Sequence, residues 1–224
     1  MNLDWRWINR NLGMIGGLTA QHAVLAVLPV LAALVVSIPL GFLVYRTGRA
    51  ANAILSVLGV VYSIPSLALF VALPVLLGTG FAPTVLVLAV LALPAILTAT
   101  ATGISGADPD AVYAARALGM TGGQIVSRVE WPLAVPLVIS GLRSATLQVV
   151  ATATVAAFAA GGGLGQLLIS GQRSRDYSQM LAGAVLIAAL AIVLDLLIGT
   201  IGLLAARRVR PAGKMRVSAA PARA

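Results

Sequence analysis

The stretch 111-AVYAARALGMTGGQIVSRVEWPLAVP-136 is a polar, glycine-punctuated segment between two runs that are almost wholly apolar. Asp108 and Pro109 just before it form a favourable helix start, because aspartate caps free N–H groups and proline suits the first helical position. Gly119 is a typical helix stop. The pattern predicts a short helix that begins at Pro109 and ends before Gly119, outside the apolar runs, and a second short helix over about 124–129.

The composition around this segment indicates a membrane protein. Of the 224 residues, 60% are hydrophobic and 9% charged, whereas a soluble domain has about 25% charged residues. The net charge of +9 could indicate nucleic-acid binding, but the basic residues lie at the ends of apolar runs, where they set membrane topology. With no cysteine and one histidine, we expect no disulfide, no metal centre and no nucleic-acid partner.

Five apolar runs are long enough to cross a bilayer, which takes about 20 residues. They cover 22–45, 52–77, 82–103, 133–158 and 179–206. The first is too long for the apolar region of a signal peptide and is therefore read as a retained span. The sequence predicts an all-α polytopic protein with five transmembrane helices: an interfacial segment over 1–21, a membrane domain over 22–206 with a cytoplasmic loop over 104–132, and a basic tail over 207–224.

The distribution of Lys and Arg gives the predicted orientation. If the 104–131 loop is cytoplasmic, ten basic residues lie inside and four outside, an excess that favours an outside N-terminus and an inside C-terminus in the cell membrane. The inside set is Arg46, Arg49, Arg116, Arg128, Arg207, Arg208, Arg210, Lys214, Arg216 and Arg223, and the outside set is Arg6, Arg10, Arg173 and Arg175.

Several short motifs follow one another in a recognisable order. The segment 113-YAARALG-119 is followed nine residues later by 129-VEWP-132, as in the pattern Glu-Ala-Ala, three residues, Gly, nine residues, Ile-x-Leu-Pro. The flanking motifs are 63-SIPSLA-68, 107-ADP-109, 132-PLAVP-136, 141-GLRSAT-146 and 161-GGGLG-165. Over residues 22–206 the chain therefore resembles permease subunits of glycine betaine/carnitine/choline (osmoprotectant) ABC importers. The departures are Tyr113 in place of the motif glutamate, Val129 and Trp131 in place of the motif Ile and Leu, and 97-LTAT-100 where such permeases often carry Arg-Asn-Thr.

The resemblance implies a type I importer fold whose cytoplasmic helix sits in a groove of a separate ATPase. The residues it assigns to ATPase coupling are Asp108, Pro109, Tyr113, Ala114, Ala115, Arg116, Gly119, Met120 and Pro132. The implied partners are ATPase subunits, a second permease subunit, an extracytoplasmic binding protein and membrane lipid. The chain lacks a G-x-x-x-x-G-K-[ST] loop, so we expect it to be no enzyme and to bind no cofactor, with ATP and Mg²⁺ on the ATPase.

Other polar residues inside the apolar runs are candidates for a site. Arg143 and Asp195 lie at similar depths in the fourth and fifth runs, and we expect them to form a structural ion pair; a translocation role and separate solvation remain open. The candidate residues of a pathway or gate are Ser63, Pro65, Ser144, Gln148 and Thr152, although close helix packing also explains the small residues of the fourth run. We expect His22 to be an interface residue. The glycines Gly161, Gly162, Gly163 and Gly165 form either an external turn that docks the binding protein or a plain flexible loop.

Three alternatives to the osmoprotectant permease remain. A secondary transporter or channel would use Asp195 as its relay, but the chain shows no internal repeat. An intramembrane enzyme lacks the residues that catalysis requires. An ABC permease of the same build would carry methionine, another amino acid or a thiol betaine.

Overall fold

A computed structural model describes residues 5–47, 53–54, 56–57, 59–60, 63–159 and 161–209, and within these ranges the protein is helical with no strand. The helices are α1 (Trp5–Arg10), α2 (Leu12–Thr47), α3 (Ser66–Leu77), α4 (Phe81–Ser105), α5 (Pro109–Ala117), α6 (Gly122–Ile125), α7 (Trp131–Ala156), α8 (Gly165–Ser174) and α9 (Tyr177–Val209). A π-helical turn, Val126–Glu130, joins α6 to α7, and a 3₁₀ turn, Ala157–Ala159, follows α7. The predicted all-α class is confirmed.

Four segments in the described residues are long and apolar enough to cross a membrane. They are Leu12–Tyr45, Phe81–Ser105, Gly122–Ala156 and Tyr177–Ala205. The predicted span 52–77 lies partly outside the described residues, and its described part is interrupted at Ile64 and Pro65 before α3 begins. At 12 residues α3 is about 18 Å long, too short to cross alone. The count of five spans therefore stays a prediction.

Two helix starts differ from the sequence-based expectation. Helix α2 begins at Leu12, ten residues before the expected start of the first span, because the glycines at 13, 16 and 17 do not interrupt it. With 36 residues it is about 54 Å long and exceeds the ~30 Å hydrocarbon core. Ahead of the fourth span, α6, the π-helical turn and α7 form one unbroken helical segment that begins at Gly122, before the expected 133.

The core lies where α2, α4 and α7 pack together. Its buried side chains are Leu25, Val30 and Ala33 of α2, Phe70 of α3, Val87, Leu88, Leu91, Ala92 and Ile96 of α4, and Ala145, Val149, Ala153 and Ala156 of α7. Glycines allow α4 and α7 to approach closely: a Cβ at Gly103 would lie 3.0 Å from the backbone of Ala134, and one at Gly141 would lie 2.8 Å from the Ala95 carbonyl oxygen. The small residues of α7 thus serve helix packing.

Candidate functional site

Helix α5 is a short helix in the segment between the spanning helices α4 and α7, and both of its ends are closed by hydrogen bonds. At the start, the Asp108 carboxylate accepts a hydrogen bond of 3.0 Å from the Asp110 N–H, and Pro109 occupies the first helical position. At the end, Gly119 has φ +76°, the Gly119 N–H donates to the Arg116 carbonyl, and the Met120 N–H donates to the Ala115 carbonyl. This pair of bonds is a Schellman motif. The start and stop expected from the sequence are both present.

One side of α5 packs on the chain and the other is open. Ala115 is 5% exposed, because α5 rests on α6 and the π-helical turn. Tyr113 is 76% exposed and Leu118 is 83% exposed, and Ala114 and Arg116 are exposed as well. Ala115 therefore lies on the packed side of α5, and its assignment to ATPase coupling stays a prediction. The open side, formed by Tyr113, Ala114, Arg116 and Leu118, is called the α5 face below.

The segment after α5 connects it rigidly to a spanning helix. Thr121 and Gln124 form a capping box, in which the Gln124 side chain accepts from the Thr121 N–H at 2.8 Å and the Thr121 hydroxyl accepts from the Gln124 N–H at 3.4 Å. The chain then continues through the π-helical turn, where the Trp131 N–H donates to the Val126 carbonyl. This widened turn accommodates Pro132, which has no N–H for an ordinary helical bond.

A buried contact joins this turn to the end of α2. Glu130 is 3% exposed, and its Oε1 accepts a hydrogen bond of 3.1 Å from the Tyr45 hydroxyl. Glu130 Oε2 has no hydrogen-bond partner among the described residues. Next to it, the Phe42 and Trp131 rings lie 5.5 Å apart between centroids. Sequence reasoning missed Glu130, although an acidic residue between apolar neighbours directly before a span was a usable signal.

Arg143 of α7 and Asp195 of α9 form a bidentate ion pair. The Nε–Oδ1 distance is 2.7 Å and the Nη2–Oδ2 distance is 2.6 Å. The two side chains remain 45% and 21% exposed. The structure thus brings together the two charges whose pairing was expected from their depth.

Two cavities of about 400 Å³ each lie on this side of α7, and the ion pair borders the first of them. The first lies between α7 and α9 and is lined by Pro136, Ile139, Ser140, Arg143, Asp195, Leu196, Gly199, Thr200, Gly202 and Leu203. The second lies between α4 and α7 and is lined by Ala95, Thr98, Ala99, Thr102, Leu137, Ser140, Gly141 and Ser144. Because Ser140 borders both, hydroxyl groups and the ion pair form one continuous strip on spanning helices, which we call the polar strip.

The candidate pathway residues lie in different places. Ser144 borders the second cavity, and Gln148 and Thr152 are half-buried farther along α7, where the Thr152 hydroxyl donates to the Gln148 carbonyl at 2.7 Å. Ser63 donates to the Gly59 carbonyl at 2.8 Å. Pro65 stands just before α3, outside both cavities.

The glycine loop packs inside the chain, at the end of α7 opposite to α5. Gly161, Gly162, Gly163 and Gly165 are all buried. The Gly163 N–H donates to the Gln21 side chain at 3.0 Å, and a Cβ at Gly163 would lie 2.8 Å from His22 Nδ1. His22 is fully buried with Nε2 3.2 Å from the Val150 carbonyl oxygen, so the expectation that it lies at an interface is wrong.

Solved structures with the same fold are ABC transporters. The chain superposes on the MetNI methionine ABC transporter in an inward-facing conformation with a TM-score of 0.72 and 22% identity, covering 94% of this chain and 100% of that chain. It also superposes on an amino acid ABC transporter solved with histidines, with a TM-score of 0.69 and 19% identity, covering 93% and 100%. The fold is thus that of an ABC-transporter membrane subunit.

Sequence comparison gives the family. The family described as the binding-protein-dependent transport system inner membrane component matches residues 18–211, and the chain belongs to this family. It is 31% identical over 213 residues to the glycine betaine/carnitine/choline transport system permease protein OpuCB of Bacillus subtilis, covering 95% of this chain and 96% of that protein. It is 35% identical over 193 residues to the osmoprotectant import permease protein OsmW of Salmonella typhimurium, covering 84% and 90%. The chain is a multi-pass membrane permease subunit of an ABC importer.

Proposed function

We propose that this permease carries a quaternary-amine osmoprotectant such as glycine betaine, choline or carnitine across the cell membrane. The observation that carries the ATP-driven part of the proposal is the α5 face, which presents Tyr113 and Leu118 to the surroundings on a helix closed at both ends. The cargo class rests on the named relatives, because nothing in the polar strip is specific for one solute.

The α5 face fits a groove on an ATPase subunit. A short rigid helix with an exposed aromatic and an exposed aliphatic side chain buries apolar area when it docks. Through the capping box and the π-helical turn, its displacement reaches α7, and through Glu130 and Tyr45 it reaches α2. We assign ATP and Mg²⁺ to the ATPase and no cofactor to this chain. Among the described residues no group of three His, Cys, Asp or Glu side chains gathers as a metal site requires.

A second permease subunit, identical or homologous, completes the pathway. The polar strip is open in the single chain, and charged groups in a spanning segment normally face a partner helix or water rather than lipid. Two strips that face each other would enclose a hydrophilic route. We place α5 and the C-terminal tail in the cytoplasm and the N-terminus outside, in keeping with the excess of basic residues on the α5 side.

The extracytoplasmic binding protein docks at the end of α7 opposite to α5, near the glycine loop. The four glycines are buried, so their contribution is to hold that loop in shape. The exposed neighbours Phe158 and Gln166 offer the docking contacts.

Uptake into proteoliposomes tests this function. Vesicles that contain the permease, its ATPase and its binding protein should concentrate labelled glycine betaine, choline or carnitine when ATP is present on the ATPase side. Omission of the ATPase should abolish uptake. Accumulation that an ion gradient drives without the ATPase would contradict the proposal and indicate a secondary transporter. Accumulation of methionine and of none of the three osmoprotectants would indicate an amino-acid permease instead.

A further inference from the structure

The ion pair between Arg143 and Asp195 borders an open cavity in the middle part of the spanning helices. Arg143 is twelve residues from the start of α7, and Asp195 is eighteen residues from the start of α9, so both lie far from the helix ends. The cavity of about 400 Å³ beside them falls in the size range of small-molecule sites, about 300–1,000 Å³.

The ion pair gives this cavity a charged edge in a lining that is otherwise mostly apolar. An ion pair that is 45% and 21% exposed would be costly against hydrocarbon tails, and charged residues in spanning helices normally face a water-filled space or a partner. Ser140 and Thr200 add hydroxyl groups to the same wall. Through Ser140 the wall continues into the second cavity, where Thr98, Thr102 and Ser144 stand.

The helix surface beside the guanidinium is left open by Gly199. A Cβ at Gly199 would lie 3.7 Å from Arg143 Cζ, in ordinary contact, so a longer side chain there would extend into the cavity. Two nitrogen atoms of the guanidinium, Nε and Nη2, donate to Asp195. The third, Nη1, takes no part in these two bonds. The site therefore has room and a donor for an incoming anionic group.

We propose that the Arg143–Asp195 pair is a binding site for zwitterionic solutes. The carboxylate of the solute binds the Arg143 guanidinium, and the cationic group of the solute lies against the Asp195 carboxylate. One ion pair within the protein is exchanged for two between protein and solute, so no charge is left unpaired at any stage. When the solute leaves, the pair closes and the empty site presents no net charge.

The residues that line the cavity should bind some classes of solute more tightly than others. Arginine and a carboxylate form strong two-bond contacts, whereas quaternary ammonium groups are held best by aromatic rings, and none of the described residues that line this cavity is aromatic. The site thus favours solutes with a carboxylate over solutes with a cation alone. It is also a site from which a solute can leave, as transport requires, because the protein pair competes for both charges.

The first test uses the absence of native cysteines. A Ser140→Cys variant in the reconstituted complex should react with a charged methanethiosulfonate reagent, and millimolar glycine betaine should slow the reaction about tenfold. Val193→Cys is the matched control: it is 51% exposed but lies two residues from Asp195 and therefore on the opposite side of α9, so it should stay unreactive. Absence of reaction at Ser140→Cys, or of protection by the zwitterion, overturns the proposal.

A zwitterionic lipid headgroup has the same chemistry as the solute, so the labelling is repeated in two bilayers. In anionic lipid without phosphatidylcholine the solute alone should protect Ser140→Cys. If phosphatidylcholine protects equally without any solute, the ligand is a headgroup and the solute site is wrong.

The second test uses transport and rests on the proposed function. Arg143→Gln should lower glycine betaine uptake about tenfold while choline uptake falls much less, and Arg143→Lys should retain part of the glycine betaine uptake. Equal losses of both solutes would show a purely structural pair and contradict the site. If glycine betaine protects Ser140→Cys while the wild-type complex transports neither solute, the proposed function is refuted and the site is left standing.

Discussion

Tyr45, at the end of the first long helix, donates a hydrogen bond of 3.1 Å to Glu130, the last residue of the π-helical turn that follows α5 and α6. The bond is buried on the Glu130 side and lies next to the Phe42–Trp131 contact. It ties the two spanning helices α2 and α7 together at the end where α5 stands. A displacement of α5 is therefore expected to move both helices.

Tyr45→Phe should lower stability because it leaves the buried Glu130 carboxylate without this hydrogen bond. A buried acceptor that loses its partner costs about 1–3 kcal/mol. The measurement is thermal unfolding of the purified subunit in detergent. Tyr113→Phe is the matched control, since Tyr113 is 76% exposed and should unfold like the wild type; equal unfolding temperatures for all three proteins would refute the role of the bond.

Gly141→Ala should disrupt the contact between α4 and α7. The new Cβ would lie 2.8 Å from the Ala95 carbonyl oxygen, a backbone atom that cannot turn away. We expect a loss of about 1–3 kcal/mol, as for other overpacked cores. A Cβ at Gly16 in α2 meets none of the described residues within 4 Å, so Gly16→Ala should be neutral or stabilising by up to about 1 kcal/mol. A Gly141→Ala protein as stable as Gly16→Ala would contradict the packing described here.

Gly119→Ala should weaken ATPase attachment while the spanning helices stay folded. Gly119 has φ +76°, and a methyl group there would meet none of the described residues within 4 Å, so only backbone strain of about 1–2 kcal/mol opposes alanine. Asparagine tolerates this conformation, and Gly119→Asn should keep more attachment than Gly119→Ala. Co-purification of the ATPase with each variant measures the effect; no difference between the two would show that the Schellman turn does not govern docking.

Gly163→Ala should be more harmful than Gly78→Ala, although both glycines have positive φ angles, +77° and +84°. Both substitutions strain the backbone, but only at Gly163 does the methyl group come within 2.8 Å of His22 Nδ1, whereas at Gly78 it would meet none of the described residues within 4 Å. The difference between their unfolding temperatures isolates the steric contact. Equal shifts would mean that the packing of the glycine loop on His22 contributes nothing.

Much of the fold follows from local signals in the sequence. Asp108, Pro109 and Gly119 act over a few residues, and the ends of α5 lie where those residues place them. The long apolar runs likewise predict spanning helices, because a bilayer requires internally satisfied backbone groups. The start of α2 at Leu12 differs from the expected 22, because the helix continues through the glycines at 13, 16 and 17 ahead of the apolar run.

The parts that could not be read from the sequence depend on long-range packing. Nothing local shows that Gly161–Gly165 fold against Gln21 and His22, more than a hundred residues earlier. The burial of Ala115 depends on α6 and the π-helical turn beneath it, which a helix pattern alone does not reveal. The similar depth of Arg143 and Asp195 could be predicted from the lengths of the two apolar runs. The cavity beside them could not, because it depends on how α7 and α9 pack against each other.

The most direct measurement for the central claim, that α5 couples this permease to an ATPase, is cross-linking from single cysteines in the naturally cysteine-free chain. Tyr113→Cys places a thiol on the α5 face, and Phe158→Cys places one at the opposite end of α7, where Phe158 is 64% exposed. In the assembled complex a short thiol-to-amine cross-linker should join the ATPase subunit to Tyr113→Cys and not to Phe158→Cys. Cross-linking of the ATPase to Phe158→Cys, with Tyr113→Cys unreacted, would contradict the account.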